Sequence, residues 1–209
     1  VDPIDLVCVN LYPFFEKVQA GLSFDETVEF IDIGGPTMLR SAAKNHQDVL
    51  VLTEAGDYAE VMEALDTASQ NVSSIPLDLK RRLAGKVFNL TSAYDAAVSR
   101  FMLGEAGKPV SEKSPRWPQY YTVPYTLSQS LRYGENGHQQ AALYLTGDAT
   151  GAFGGMKQLQ GKELSYNNMR DLDIAWKAAC AYDEFLQALP AEFPAKAELD
   201  RSRETAPVI

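Results

Sequence analysis

Two adjacent glycines followed by a proline constrain the chain most strongly, within residues 31–46, which read Ile-Asp-Ile-Gly-Gly-Pro-Thr-Met-Leu-Arg-Ser-Ala-Ala-Lys-Asn-His. Because glycine lacks a Cβ atom, Gly34 and Gly35 allow a sharp turn or a close approach of the backbone to a ligand. Pro36 suits the first helical position, where its missing amide hydrogen would have no partner anyway. The segment therefore predicts a tight turn that leads into a short helix over residues 37–45.

One side of this predicted helix is polar and carries Thr37, Arg40, Ser41 and Lys44. A helix that opens at a diglycine turn offers backbone N–H groups to an anion such as phosphate. Asp32 before the turn and Lys44 in the helix would then flank that ligand as an acid/base pair. The residues alone favour a second interpretation, in which the turn is ordinary and the polar helix face is solvated.

Charge and composition exclude several kinds of protein. The 209 residues include 19 basic and 28 acidic side chains, and the net charge of −9 argues against a nucleic-acid interface. No stretch reaches the roughly 20 apolar residues of a membrane span, and no leader pattern opens the chain. Cys8 and Cys180 are the only cysteines, which indicates a reducing, cytoplasmic compartment and offers no metal-ligand spacing. The abrupt ends, at Val1 and Ile209, suggest a piece of a longer protein.

The order of the predicted elements indicates an α/β fold. Apolar runs at residues 5–9 and 48–53 predict two buried strands with helices between them. Because ligands gather beyond the carboxyl ends of such strands, the first run places Asn10 and Tyr12 near a site. A capping box from Ser23 to Glu26 predicts a helix over residues 24–30. A further helix over residues 57–69 is expected to turn four side chains inward: Tyr58, Val61, Met62 and Leu65.

A long amphipathic helix after Pro76 has a stripe that predicts its core-facing side: Leu79, Leu83, Val87, Leu90, Tyr94, Ala97 and Phe101. The polar, proline-rich residues 108–118 that follow are the best candidate for a domain boundary. Beyond them, the pattern predicts extended segments over residues 119–131 and 141–145, and a helix over residues 172–186. Residues 147–155 are expected to form a flexible loop, and residues 191–205 a charged tail.

Four segments resemble, in the same order, the bifunctional purine-biosynthesis enzymes that carry IMP cyclohydrolase and AICAR formyltransferase activities. They are residues 10–14, 31–46, 131–139 and 161–168. The resemblance implies that residues 1–108 are the later part of the cyclohydrolase domain, in which a methylglyoxal-synthase-like α/β layer joins a helical extension. After a linker at residues 109–118, residues 119–209 would begin the formyltransferase domain, which is cytidine-deaminase-like. The resemblance favours the functional interpretation of the diglycine segment.

The resemblance also implies two reactions and their residues. A formyl group passes from the cosubstrate 10-formyltetrahydrofolate to AICAR, and formyl-AICAR then closes to IMP with loss of water. In the cyclohydrolase, Lys44 matches the proton donor or acceptor, and Tyr12 and Asp32 match groups around the reacting formamide. In the formyltransferase, Arg132 and Tyr133 match AICAR-binding residues and His138 matches a histidine close to that site. The remaining substrate-binding positions are Val9, Asn10, Ile33 and Gly34.

For the protein as a whole, the resemblance implies a cytosolic homodimer that acts on AICAR, formyl-AICAR and IMP, without a metal or a tightly bound cofactor. The family's N-terminal phosphate-binding segments do not occur in the chain, so we expect this fragment alone to be inactive. Gly137 departs from the Pro or Ser usual before the family's His138 counterpart. Two alternatives remain: a non-enzymatic nucleotide- or phosphate-binding module of methylglyoxal-synthase-like type, which would use Gly34 and Gly35, and a purely structural fragment.

Overall fold

Helices and short strands alternate along the chain, as expected of a mixed α/β protein. The structure is a computed structural model, and it describes residues 3–105, 108–147 and 153–188. In chain order the elements are β1 (Leu6–Cys8), α1 (Phe14–Gln19), α2 (Phe24–Val28), α3 (Gly34–Lys44), β2 (Leu50–Leu52), a 3-10 turn (Ala55–Asp57), α4 (Tyr58–Thr67), a second 3-10 turn (Val72–Ser74), α5 (Leu77–Leu103), β3 (Gly104–Glu105), β4 (Lys108–Pro109), β5 (Thr126–Leu131), β6 (Ala141–Leu145) and α6 (Tyr166–Ala188).

Strands β1 and β2 form a parallel pair, in which Leu6 lies opposite Leu50 and Cys8 opposite Leu52. Both strands were predicted from their apolar runs, although each is shorter than its run. All three residues of β2 are buried, and they pack with residues of α3, α4 and α5 in one hydrophobic core. Because the two strands are parallel and are joined through helices, the loop that follows β1 lies beside the loop that follows β2.

Helix α5 is the central support of the first compact unit. Its predicted stripe is confirmed, because Leu83, Val87 and Tyr94 are buried and the other stripe residues are at least half-buried. The ring of Phe14, which is fully buried, contacts the rings of Tyr94 and Phe101, both at 5.7 Å between centroids. These aromatic contacts attach α1, and the loop before it, to α5.

Three helix predictions need correction. Helix α3 begins at Gly34 rather than at residue 37, so Pro36 is its third residue, a position whose amide also lacks an intrahelical acceptor. Helix α6 begins at Tyr166, six residues before the predicted start. In α4, Val61 is buried as predicted, but Tyr58 and Met62 are exposed, because only a narrow stripe of this helix meets the core. The capping box that begins α2 is confirmed.

The chain divides into two compact units, residues 1–124 and 125–209. In the second unit, β5 and β6 form an antiparallel pair with a register shift between Leu127 and Gln129, and β6 has the predicted bounds. Most of the predicted loop at residues 147–155, and the predicted tail at 191–205, lie outside the described residues. Across the described part of the chain, no helix combines the length and apolar character needed to cross a bilayer.

Candidate active site

The loop after β1 brings predicted site residues to the carboxyl end of the parallel strands. The amide of Val9 donates to the carbonyl oxygen of Leu52 at 3.1 Å, which fixes the start of the loop beside β2. Further along, the carbonyl oxygen of Tyr12 accepts a hydrogen bond from the Phe14 amide at 2.8 Å. Phe14 is buried whereas Tyr12 is 56% exposed, so the loop is anchored while the Tyr12 phenol faces solvent.

The carboxylate of Asp32 joins this loop to the first turn of α3. Its Oδ1 accepts a hydrogen bond from the Gly35 amide at 2.7 Å, and its Oδ2 accepts one from the Tyr12 amide at 3.3 Å. Asp32, one residue before the N-cap Ile33, therefore satisfies a backbone amide in the first turn of α3 and at the same time binds the Tyr12 amide. The sequence analysis placed both residues at turns, and the structure brings them into direct contact.

Gly35 is needed for space rather than for an unusual backbone conformation. Both glycines belong to α3, so both have helical dihedral angles that any residue adopts. A Cβ atom on Gly35 would lie 2.5 Å from Asp32 Oδ2 and 2.8 Å from Leu11 Cδ2, whereas a Cβ atom on Gly34 would meet nothing within 4 Å. The glycine at position 35 is what allows the Asp32 carboxylate to lie against the helix.

The predicted anion site at the diglycine turn must be revised. The Gly35 amide is occupied by the side chain of Asp32, and the Thr37 amide donates to the carbonyl oxygen of Ile33 at 3.4 Å. Pro36 has no amide hydrogen. The expectation that this turn offers free N–H groups to a phosphate is therefore wrong at Gly35, since the local carboxylate already fills the role of the anion.

Lys44 lies at the opposite end of α3 from Asp32. The helix spans 11 residues and Lys44 is the last of them, so about 15 Å of helical rise separates it from Gly34. Lys44 is exposed, and no hydrogen bond or ion pair joins it to Asp32 in the described part of the chain. The two residues therefore do not flank one small anion at the turn, and only a ligand that extends along α3 would contact both.

The other predicted nucleotide contacts lie around the same loop. Ile33 is 73% exposed, and Gly34 is exposed beside it. The hydroxyl of Tyr58 lies 3.4 Å from Cys8 Sγ. This contact with Cys8 is the main cause that raises the pKa of the Tyr58 phenol above its usual value, and Asn10 acts on the same phenol in the opposite direction from Cys8. Asn10 thus links the loop to the start of α4.

Tyr94 is a functional candidate that the sequence analysis recognised only as part of the core stripe. Its hydroxyl oxygen accepts a hydrogen bond from the Asp32 amide at 2.7 Å and donates one to the Phe30 carbonyl oxygen at 3.1 Å. Burial is the main cause that raises the pKa of the Tyr94 phenol. No spacing in the sequence connects α5 with residues 30–32, so only tertiary structure identifies this contact.

A second group of predicted residues comes together in the other unit. Arg132 Nη2 donates to the Tyr133 hydroxyl at 3.3 Å, and the guanidinium carbon lies 4.9 Å from the centre of the Tyr133 ring. The pKa of the Tyr133 phenol is lowered, first by a hydrogen bond with Ser165 and then by Arg132. An arginine beside an acidified phenol forms a polar, cationic patch suited to an anionic or polar ligand.

Backbone hydrogen bonds join two of the four segments that resemble the purine-biosynthesis enzymes. The amide of Arg132 donates to Leu164 O at 2.8 Å, and the amide of Tyr166 donates to Tyr133 O at 3.0 Å. Ser165 is fully buried, and its hydroxyl and amide both donate to Asn168 Oδ1 at 3.0 Å. The pattern Ser-x-x-Asn before a helix is a capping signal that could have located both Ser165 and the start of α6.

His138 lies on the turn that follows Tyr133 but is exposed, and within the described ranges it makes no hydrogen bond or ion pair. Gln139 closes that turn, since its side-chain Oε1 accepts from the Asn136 amide at 2.9 Å and its carbonyl oxygen accepts from the Gly134 amide at 2.8 Å. A Cβ atom on Gly137 would meet nothing within 4 Å, and its φ is not in the left-handed region. The turn thus does not need glycine at position 137.

Among the described residues, no group of three or more histidine, cysteine, aspartate or glutamate side chains could hold a metal ion.

Comparisons with known proteins bear on both groups of residues. A family model described as "AICARFT/IMPCHase bienzyme" matches residues 42–191, a range that includes Lys44, Arg132, Tyr133 and His138. The "Bifunctional purine biosynthesis protein PurH" of Clostridium acetobutylicum is 53% identical over 184 residues, which cover 88% of this chain and 34% of that protein. The proteins of the same name from Clostridium perfringens and Clostridium beijerinckii are 53% and 52% identical over the same shares.

This chain therefore spans about a third of the length of the curated relatives that it matches. Among solved structures, the "Crystal structure of ForH" superposes with a TM-score of 0.43 at 39% identity, over 48% of this chain and 51% of that one.

Proposed function

Because the chain belongs to the AICARFT/IMPCHase bienzyme family, we propose that it forms part of an enzyme for the last two steps of IMP synthesis. The first step transfers a formyl group from 10-formyltetrahydrofolate to AICAR. The second closes formyl-AICAR to IMP with loss of one water molecule. The contact of Asp32 with the backbone amide of Tyr12 is the observation that supports the second step most directly, because it joins the carboxylate to the loop that carries an exposed phenol.

The two units would divide these activities. In this proposal residues 1–108 are the later part of the cyclohydrolase, with a methylglyoxal-synthase-like layer that includes β1 and β2 and a helical extension that includes α5. Residues 109–118 are a linker, and residues 119–209 begin a cytidine-deaminase-like formyltransferase. The parallel pair of β1 and β2 and the 27-residue length of α5 support the first assignment.

In the cyclohydrolase site, ring closure requires a substrate nitrogen to attack the formyl carbon while oxygen leaves as water. Holding both ends of one molecule in place lowers the barrier by roughly 7–11 kcal/mol. In this proposal Tyr12 stabilises the oxyanion that develops on the formyl oxygen. Lys44 exchanges the protons that leave with water, and Asp32, at the other end of α3, orients the reacting formamide. The nucleotide lies along α3, between Asp32 and Lys44, with its remaining contacts at Val9, Asn10, Ile33 and Gly34.

In the formyltransferase site, Arg132 and Tyr133 bind AICAR, and His138 acts as a catalytic residue next to them. The hydrogen bonds of Tyr133 with Arg132 and Ser165 support this role, because they fix the phenol in one orientation. No metal or tightly bound cofactor takes part in either proposed step.

At the level of the whole protein, we place the enzyme in the cytoplasm as a homodimer that binds purine nucleotides. The free thiols of Cys8 and Cys180, both exposed, support a reducing compartment. The 209-residue chain alone is proposed to be inactive, since the segment that it matches makes up only 34% of the curated relative. Activity is therefore best measured in a chimera in which this chain replaces the matching segment of the Clostridium acetobutylicum relative.

Replacement of Lys44 by Ala in this chimera tests the proposal. We expect IMP formation from formyl-AICAR to fall by at least about a hundredfold, because a proton-transfer group is lost, while nucleotide binding, measured by calorimetry, persists. Lys113→Ala, which removes an exposed cation in the linker, is the matched control and should leave the rate unchanged. An unaltered rate in Lys44→Ala, or an inactive parent chimera that is folded and binds nucleotide, would reject the proposed function.

A further inference from the structure

The inference here rests on the proposed function and concerns a residue that takes no part in the roles assigned above. We propose that Tyr94 is a positioning residue of the cyclohydrolase site. Its hydroxyl holds the segment that contains Asp32, and its ring holds the loop that contains Tyr12. Tyr94 would not touch the substrate. It would act on the reaction only by fixing where the Asp32 carboxylate lies relative to Tyr12.

The hydroxyl of Tyr94 binds the backbone immediately around Asp32. It accepts from the Asp32 amide at 2.7 Å and donates to the Phe30 carbonyl oxygen at 3.1 Å, so one oxygen atom bridges both ends of a three-residue segment. Between these contacts, Ile31 donates its amide to Val28 O at 2.9 Å. Among the described residues this segment pairs with no strand, and the bridge from Tyr94 connects it to α5.

The ring of Tyr94 contacts the other half of the site. It lies 5.7 Å from the ring of Phe14 and 5.9 Å from the ring of Phe15, the second of these edge-on. Phe14 is directly connected to the catalytic loop, because its amide donates to the Tyr12 carbonyl oxygen at 2.8 Å. One side chain on α5 thus contacts the segment of Asp32 through its hydroxyl and the segment of Tyr12 through its ring.

The environment of the phenol suits a fixed bridge. Tyr94 is 1% exposed, so an unpaired hydroxyl would be unfavourable there, and both its donor and acceptor capacities are used. Burial raises the pKa of this phenol, which keeps the proton that the bond to Phe30 requires across the neutral range. An ordinary core tyrosine needs one partner, whereas this one joins two points on the backbone beside a proposed catalytic carboxylate.

Removal of the hydroxyl alone separates positioning from packing. Tyr94→Phe keeps the ring contacts with Phe14 and Phe15 but leaves the Asp32 amide without its acceptor. In the full-length chimera we expect kcat for IMP formation to fall about tenfold while KM changes less than about twofold, since the substrate contacts remain. Phe101→Leu is the matched control, because it disturbs the same aromatic cluster without touching residues 30–32.

The control should lower the melting temperature and leave kcat unchanged. A purely structural role for Tyr94 predicts instead that both variants lower the melting temperature and that kcat at a temperature well below it is unaffected in both. Equal kcat in Tyr94→Phe and the parent, or an equal loss in both variants, would overturn the positioning role.

Amide hydrogen exchange on the 209-residue chain provides a readout that does not depend on activity. We expect Tyr94→Phe to increase exchange selectively at Asp32, and Phe101→Leu to spare that amide. If the exchange result holds but the parent chimera forms no IMP, the proposed function fails while the bridge stands. If the parent is active and the Asp32 amide is unaffected by Tyr94→Phe, the positioning inference fails by itself.

Discussion

At Gly35, a hydrogen atom in place of a Cβ group makes room for the carboxylate of Asp32. A Cβ atom on the preceding glycine, Gly34, would meet nothing within 4 Å. The two residues are adjacent, belong to the same first turn and differ only in what surrounds them. Replacing each glycine in turn therefore tests whether the contact between Asp32 and the first turn of α3 stabilises the protein.

We predict that Gly35→Ala destabilises the chain by about 1–3 kcal/mol, because its methyl group would overlap Asp32 Oδ2 and Leu11. Gly34→Ala should be neutral or stabilise by up to about 1 kcal/mol, since alanine favours a helix more than glycine does. Urea denaturation of the two variants measures the difference. Equal stability of the two variants would mean that Asp32 does not occupy the position described.

The sequence predicted the turns that carry the candidate site residues but not how these residues contact each other. Asn10, Tyr12 and Asp32 were placed at turns because strand ends and glycines mark turns in any sequence. The rotamer that directs Asp32 back onto the Gly35 amide depends on the approach of the Tyr12 loop, which is a tertiary contact. For the same reason, the sequence pattern predicted an anion site at the diglycine turn, although the Asp32 carboxylate already binds the Gly35 amide there.

At the scale of elements, α5 organises the first unit through charges as well as through its apolar stripe. Asp57, which is buried at the start of α4, accepts hydrogen bonds from Lys86 Nζ at 2.7 and 2.9 Å. Lys86 also reaches Glu54 at 3.1 Å, and Arg82 lies 3.7 Å from Asp57 and pairs with Glu60. These ion pairs connect residues 54–60, which follow β2, to one face of α5.

We predict that Lys86→Met destabilises the chain by about 2–3 kcal/mol, because it leaves the buried Asp57 carboxylate with only the more distant Arg82. Arg81→Met is the control: its pair with Asp78 is exposed at 4.0 Å, so its loss should cost less than about 0.5 kcal/mol. Chemical denaturation of each variant at neutral pH gives both values. Similar losses in the two variants would contradict the importance of the buried pair.

The contribution of Lys86 should also depend on pH in a defined direction. Its hydrogen bond to Asp57 raises the pKa of Lys86 above the usual 10.5. A raised lysine pKa means that the stabilisation is complete below pH 10.5 and declines as the pH rises through the folded-state value. The difference in unfolding free energy between the parent chain and Lys86→Met should therefore be constant near neutrality and shrink in alkaline solution.

Periodicity predicted α5 because its stripe is regular over seven positions. It also predicted the helix α4, but Tyr58 and Met62 are exposed rather than inward because this short helix meets the core along a narrow stripe. Neither the ion pairs nor the early start of α6 at Tyr166 follows from apolar spacing. The early start of α6 is marked instead by a polar signal, the capping residue Ser165.

At the scale of the whole molecule, the two units each contain one of the two groups of proposed site residues, Asp32 with Tyr12 in the first and Arg132 with Tyr133 in the second. The mixed α/β class and the order of the elements followed from the sequence, and the resemblance of four short segments predicted the family. The path of each chain segment through the site required coordinates, because contacts such as Tyr94 with Asp32 join residues far apart in the chain.

The single-turnover rate of IMP formation from formyl-AICAR in the chimera, with Asp32→Asn, tests the account most directly. Asn keeps an oxygen that can cap Gly35 but turns an NH2 group toward the Tyr12 amide, so we expect a loss of about 1–2 kcal/mol of stability and normal nucleotide binding. The account predicts a rate at least about a hundredfold lower, with Asp48→Asn, an exposed carboxylate away from the site, equal to the parent. A rate for Asp32→Asn equal to that of Asp48→Asn would contradict the assignment of the site.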